Sequence, residues 1–199
     1  MRTTTVPIPV LAVALHACTA EPELLNSERI EATFGNYGIE ILKNDVQLRR
    51  SNLYSIADGV RTCRTFAVVQ FLETPDDRTV EEHARIVSGG SIGEVFKSHG
   101  WRIYKQTLHI GDLSVSDADA EVARLMHVDI GTVLALHVYR LVIEKQDVSI
   151  NYATIVEAHH PEYLDIAALR DTYPVSDSTF FSENQLSALV SLVTDSEND

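Results

Sequence analysis

The chain has 199 residues, a formal net charge of −13 and 45% hydrophobic residues, with Gly 9, Pro 6 and Cys 2. That length suits one medium domain with small appendages, and the composition excludes a collagen, a disulfide-dense miniprotein, a multispan membrane protein and a wholly disordered chain. The acidic balance argues against a nucleic-acid partner, because a phosphate backbone requires clustered Lys and Arg.

Residues 1–18 read MRTTTVPIPVLAVALHAC, with Arg2 as their one charge. The apolar run from Val6 to Leu15 is too short for a transmembrane helix, which needs about 20 apolar residues. A charged start, a short apolar stretch and a small residue before a cut form the pattern of a signal peptide. Leu15-His16-Ala17-Cys18 resembles a bacterial lipoprotein signal, with Leu three residues before a Cys and a small residue just before it. The resemblance implies cleavage after residue 17 and lipidation of Cys18. His16 departs from the pattern, and Thr19 is not the Asp that retains enteric lipoproteins at the inner membrane. The expected division is a signal peptide over 1–17, a lipidated tether over 18–27, a single domain over 28–173 and an acidic extension with a short helix over 174–199. With Cys18 lipidated, Cys63 is a lone thiol in the sequence Thr62-Cys63-Arg64-Thr65-Phe66, where a structural role outweighs a nucleophilic one.

Within the domain, six strands are expected. The first runs from Tyr37 to Leu42 and the second from Val46 to Ile56. Asp58-Gly59 then signals a tight hairpin into a third, Val60 to Phe71. Thr79-x-x-Glu82 has the form of a capping box opening a helix over Val80–Val87. Ser91-x-x-Glu94 is a second such pattern, opening a helix that stops at Gly100. Trp101 to Leu113 reads as the fourth strand, and Ser116-x-x-Asp119 opens a helix with Val122, Leu125 and Met126 on one face. The fifth and sixth strands, Val133 to Glu144 and Ser149 to Ala158, flank a polar turn. Pro161 suits the first turn of a last helix, Glu162 to Leu169. The dominance of hairpins predicts an α+β fold, a mainly antiparallel sheet of about six strands with helices on one face. Phe66, Val68, Val138 and Ile155 are expected in its core.

Ser91-Ile92-Gly93-Glu94-Val95-Phe96-Lys97-Ser98-His99-Gly100 resembles the helix and glycine that open a UTRA domain, the effector-binding half of GntR-type regulators. Glu121 to Met126, Ile130-Gly131-Thr132-Val133-Leu134, Tyr139-Arg140-Leu141 and Pro161 resemble later positions of the same pattern, which spans residues 91–165. The resemblance implies the chorismate lyase-like fold. No DNA-binding helix-turn-helix is read ahead of the domain, and the leader places it outside the cytoplasm, so the regulatory role is not carried over.

The same resemblance draws attention to Glu157, four residues before Pro161, and to Arg140 on the preceding strand. In chorismate lyase a glutamate so placed and strand arginines hold the ligand. A hairpin turn of two or four residues puts Arg140 and Glu157 on one face with Leu136, Val138, Ile155 and His159, whereas an odd turn separates them. Arg140, Glu157 and His159 are therefore the candidate ligand-binding residues, and an exposed ion pair without function is the competing reading. His159-His160 with Glu157 and Glu162 suggests a metal. Neighbouring strand residues face opposite ways, however, and neither HExxH nor a zinc-type Cys/His spacing is present, so no metal is expected. Arg49-Arg50 reads as solvated strand face, and Gly89-Gly90-Ser91-Ile92-Gly93 as either an anion-binding loop or a tight turn.

The leading functional expectation is a lipid-anchored protein of the bacterial cell envelope whose non-catalytic domain binds a small carboxylated molecule or an envelope protein. A lyase-like enzyme for a small carboxylated substrate and a structural lipoprotein without a pocket are the alternatives. No catalytic residue, cofactor or nucleic-acid partner is assigned.

Overall fold

Six strands pair in the order β1-β2-β3-β6-β5-β4, every neighbour antiparallel. The structure, a computed structural model, describes residues 24–72, 74–173 and 183–194. The strands are β1 (Gly38–Asn44), β2 (Leu48–Ala57), β3 (Val60–Phe71), β4 (Arg102–Ser114), β5 (Val133–Lys145) and β6 (Val148–His159). The helices are α1 (Asn26–Phe34), α2 (Val80–Val87), α3 (Ile92–Ser98), α4 (Ala120–Met126), α5 (Ile166–Thr172) and α6 (Glu183–Thr194). The antiparallel α+β architecture is as the hairpin signals predict. Among the described residues, no helix is long and apolar enough to cross a membrane.

The turns explain the pairing. Asp58 and Gly59 both take positive φ, 52° and 79°, which matches the right-handed twist of the strands they join. Asp45 closes the β1–β2 turn by accepting from the backbone N–H groups of Gln47 and Leu48 at 2.9 and 2.7 Å. Gln146 at φ 54° turns β5 into β6 across the pair Lys145–Val148.

Both faces of the sheet are covered. On one, Phe66, Val68, Leu136, Val138 and Val156 pack against Val122 and Met126 of α4 and Leu189 and Val193 of α6. The other carries Val69, Phe71, Tyr139, Leu141 and Ile155 under Ile86 of α2 and Phe96 of α3, with α1 and α5 beside them. Phe66, Val68, Val138 and Ile155 are all buried, as expected. Truncation of Phe66, which is fully enclosed, to Ala is predicted to cost about 3–5 kcal/mol, read as a lowered urea midpoint with unchanged slope. Cys63 is free and buried, and burial pushes its thiol well above the usual range, so it is a packing residue.

Four local expectations change. Residues 24–27, expected in the tether, belong to the fold: α1 starts at Asn26, and the Glu28 carboxylate accepts the Leu25 N–H at 2.7 Å. The start of α2 is capped differently as well. Asp76 accepts from Arg78 N, while Glu82 turns inward to accept from Trp101 Nε1 and pair with His99 Nδ1, each at 2.9 Å. Ser91 places no side-chain cap on α3, whereas Ser116 and Asp119 do form the expected reciprocal cap. Pro161 lies in a turn, and α5 begins at Ile166 because Asp165 Oδ1 accepts from Ala168 N at 2.8 Å.

Candidate functional site

The face under α1, α2 and α3 holds a cavity of about 100 Å³. By comparison, a cavity of roughly 150 Å³ accommodates benzene, so the space suits a molecule, or the part of one, somewhat smaller than a benzene ring. Strand residues Ile39, Leu53, Val69, Ile103, Leu141 and Ile155 supply apolar walls. Leu25 to Ser27 and Ser91 to Gly93 contribute from the starts of α1 and α3. Gly93 permits that approach, since a Cβ there would lie 2.4 Å from Leu25 Cδ1. Three charged side chains line the space: Arg49, Lys105 and Glu157.

Arg49 is 1% exposed. Its Nε donates to Ser51 Oγ at 3.0 Å and its Nη1 to the carbonyls of Gly90 and Ile86 at 2.7 and 3.5 Å. Among the described residues no carboxylate pairs with it, and burial pulls its pKa below the ordinary arginine value. An ionised group in that position is fixed by neutral acceptors but lacks a counter-charge, which is costly without an anion. The Gly89–Gly93 loop thus serves the site through a carbonyl that holds Arg49.

At the far end, Glu157 is the hub of a buried network. Its Oε1 accepts from Asn26 Nδ2 at 2.7 Å and from Tyr139 Oη at 2.9 Å. Its Oε2 lies 3.5 Å from Lys105 Nζ and 3.7 Å from His159 Nε2. Burial opposes the charge, yet the Lys105 ammonium, His159 and the two donors together hold the carboxyl below its usual range. Lys105 sits among the rings of Tyr139 and Tyr173, 4.7 and 5.0 Å from their centroids. His159 is pulled down to about 4 by its burial, against the pull of Glu157. Burial also lowers His137, which faces Glu157 directly across β5 and β6.

Of the residues picked from sequence, Glu157 and His159 come together and Arg140 does not join them. The turn between β5 and β6 has the expected two residues and pairs even positions with odd ones as far as Val142–Asn151. A bulge at Tyr152 then shifts the register, so Leu141 pairs with Ala153 and Arg140 with Thr154. A one-residue shift exchanges faces. Arg140 therefore lies on the face of Val138 and Val156, opposite Glu157, and is half-buried there. The expectation of a shared face is overturned. Arg49 supplies the cationic end of the cavity instead, and it is not the solvated strand residue expected, because β2 is covered on both sides. Arg50, on the opposite face, is also buried, 3.3 Å from Glu121. His160 stays apart from the network, accepting the Glu162 N–H at Nδ1. Cys18 lies outside the described residues.

No protein-family model and no curated protein matches the chain. Solved structures do. PhnF from Mycobacterium smegmatis aligns over 71% of this chain with 15% identity and a TM-score of 0.44, and this chain spans 65% of that protein, just under two thirds. The C-terminal domain of Yurk from Bacillus subtilis subsp. subtilis str. 168 aligns over 63% of this chain and 92% of its own, at 14% identity and TM-score 0.39. A transcriptional regulator of the GntR family from Enterococcus faecalis V583 aligns over 65% of this chain and 93% of its own, at 12% identity and TM-score 0.39.

Proposed function

We propose that the domain binds a compact, anionic small molecule, a carboxylate with an apolar body, in the cavity between the sheet and helices α1 and α3. The observation that carries this reading is Arg49: buried, held by carbonyls, bordering an apolar cavity and lacking a carboxylate partner among the described residues. With Nε on Ser51 and Nη1 on the Gly90 and Ile86 carbonyls, Nη2 is the charged donor left for a ligand carboxylate. Glu157 and Tyr139 line the opposite end, where a hydroxyl or amide of the ligand would find an acceptor. The resemblance of residues 91–165 to effector-binding UTRA domains supports a binding role.

The experiment is a thermal-shift series on the full chain with benzoate, small aliphatic carboxylates, sugar phosphates and their neutral amides. Carboxylates should raise the midpoint in a saturable way through linkage, whereas the amides should not. Equal shifts with amides, or none with any anion, would remove the reading.

The second half of the proposal is anchoring at Cys18 in the bacterial cell envelope, supported by the Leu15-to-Cys18 pattern. From Cys18 to Leu25 the chain reaches at most about 25 Å when fully extended, so an anchor would hold α1 close to the membrane surface. The prediction is that the protein expressed with residues 1–17 fractionates with membranes, and that Cys18→Ser releases it and blocks processing. Retention of that variant would show the leader is not a lipoprotein signal.

A further inference from the structure

Three buried side-chain atoms of this network make no hydrogen bond: His137 Nδ1, His159 Nε2 and Glu157 Oε2, the last with the Lys105 ammonium 3.5 Å away. All three residues are buried, and one ligand atom from each lies within 4.8 Å of the other two. A polar atom left without a hydrogen bond in the interior is costly. Three such atoms in one buried cluster suit a shared guest.

We propose that His137, Glu157 and His159 bind one divalent transition-metal ion of the zinc or ferrous class. The inference does not rest on the anion reading, which is carried by Arg49 at the other end of the cavity.

The rest of each ligand is arranged for this. Thr107 Oγ1 lies 3.1 Å from His137 Nε2, and Thr65 Oγ1 lies 3.0 Å from His159 Nδ1. Each threonine hydroxyl is placed to accept the N–H of that nitrogen when the other nitrogen is the ligand, which would fix the tautomer and leave the other lone pair for the ion. Glu157 has its Oε1 occupied by Asn26 and Tyr139, leaving Oε2 for the ion.

Two imidazoles and one carboxylate select zinc or ferrous iron over magnesium or calcium, which take oxygen donors. With bonds of about 2.1 Å, tetrahedral ligand atoms stand roughly 3.4 Å apart, close to the 3.7 Å that separates Glu157 Oε2 from His159 Nε2. Three protein ligands leave a position open, and of the three it is Glu157 that also lines the cavity. Lys105 Nζ, 3.5 Å from Oε2, is the counter-charge that the ion displaces from that oxygen.

The adjacency of His159 and His160 does not bear on this arrangement. The second histidine is His137, supplied across the ladder where it pairs with Glu157.

The test uses the full chain, treated with a chelator and titrated with zinc by calorimetry and with cobalt(II) by visible absorption. One equivalent should bind, and cobalt should give the intense bands of a low-coordinate nitrogen–oxygen site. His137→Gln and His159→Gln should each weaken zinc binding by at least about 100-fold, and Thr65→Val and Thr107→Val by about 10- to 100-fold. His160→Gln should leave it unchanged. Absence of a saturable single equivalent, a weak octahedral cobalt spectrum, or unchanged affinity in the glutamine variants would overturn the proposal. Should the glutamine variants not fold, the wild-type cobalt spectrum and the two valine variants decide it.

Discussion

Arg49→Met is expected to lower the affinity of the cavity for a small carboxylate by about 100-fold or more. A charge-assisted hydrogen bond contributes roughly 1.5–3 kcal/mol, and one desolvated in an apolar cavity reaches the roughly 2.7 kcal/mol that corresponds to 100-fold. Methionine fills much of the arginine volume but brings no donor. Arg49→Lys keeps the charge and loses the guanidinium geometry, so a smaller but clear loss is expected. The methionine change also strands the carbonyls of Gly90 and Ile86, which now accept from Nη1. Some loss of stability therefore accompanies the loss of binding, and far-UV circular dichroism with a melting curve separates the two. Calorimetric titration of the folded variants with the tightest carboxylate checks the prediction. An affinity within a few-fold of wild type would show that Arg49 is a structural strut.

Lys105→Met is expected to destabilise the metal-free chain by about 3–5 kcal/mol, because removing one member of a buried ion pair leaves the other uncompensated. Lys105 and Glu157 have side chains only 6% and 5% exposed and lie 3.5 Å apart. For a chain of this length that corresponds to a melting midpoint lowered by about 6–20 °C. The double variant Lys105→Met with Glu157→Gln should recover most of the loss, since it removes both charges while Gln keeps an acceptor for Asn26 and Tyr139. Urea unfolding of the four proteins of this cycle measures the coupling. A double variant no more stable than Lys105→Met would assign the role of Lys105 to its packing on Tyr139 and Tyr173.

Strand pairing was legible wherever local chemistry decides it. Asp58-Gly59 dictates its hairpin, and the apolar run of β3 marks a strand buried on both faces. Register deep in the sheet was not legible. The bulge at Tyr152 has no local signature, yet it turns Arg140 away from Glu157 and brings His137 opposite it. Helix α1 escaped notice because Asn26-Ser27 reads as a polar tether, and its order depends on tertiary partners: Asn26 on Glu157, and Ile30 with Leu53 and Ala67. Arg49-Arg50 looked like a solvated face because alternation cannot show that both sides of β2 are covered. Glu157 and His159 were found by resemblance and period-two spacing. Their partners Arg49, Lys105 and His137 come from three other strands, and only the assembled sheet brings them together.

The most direct measurement is native mass spectrometry of the intact folded chain, purified from cells that express it, followed by release and identification of whatever it carries, with Arg49→Met purified in parallel. The account predicts one small acidic compound on the wild-type chain, in stoichiometric amount, and its absence from the variant. The same compound on both proteins, or a neutral or cationic one in its place, would contradict the assignment of the cavity to an anion.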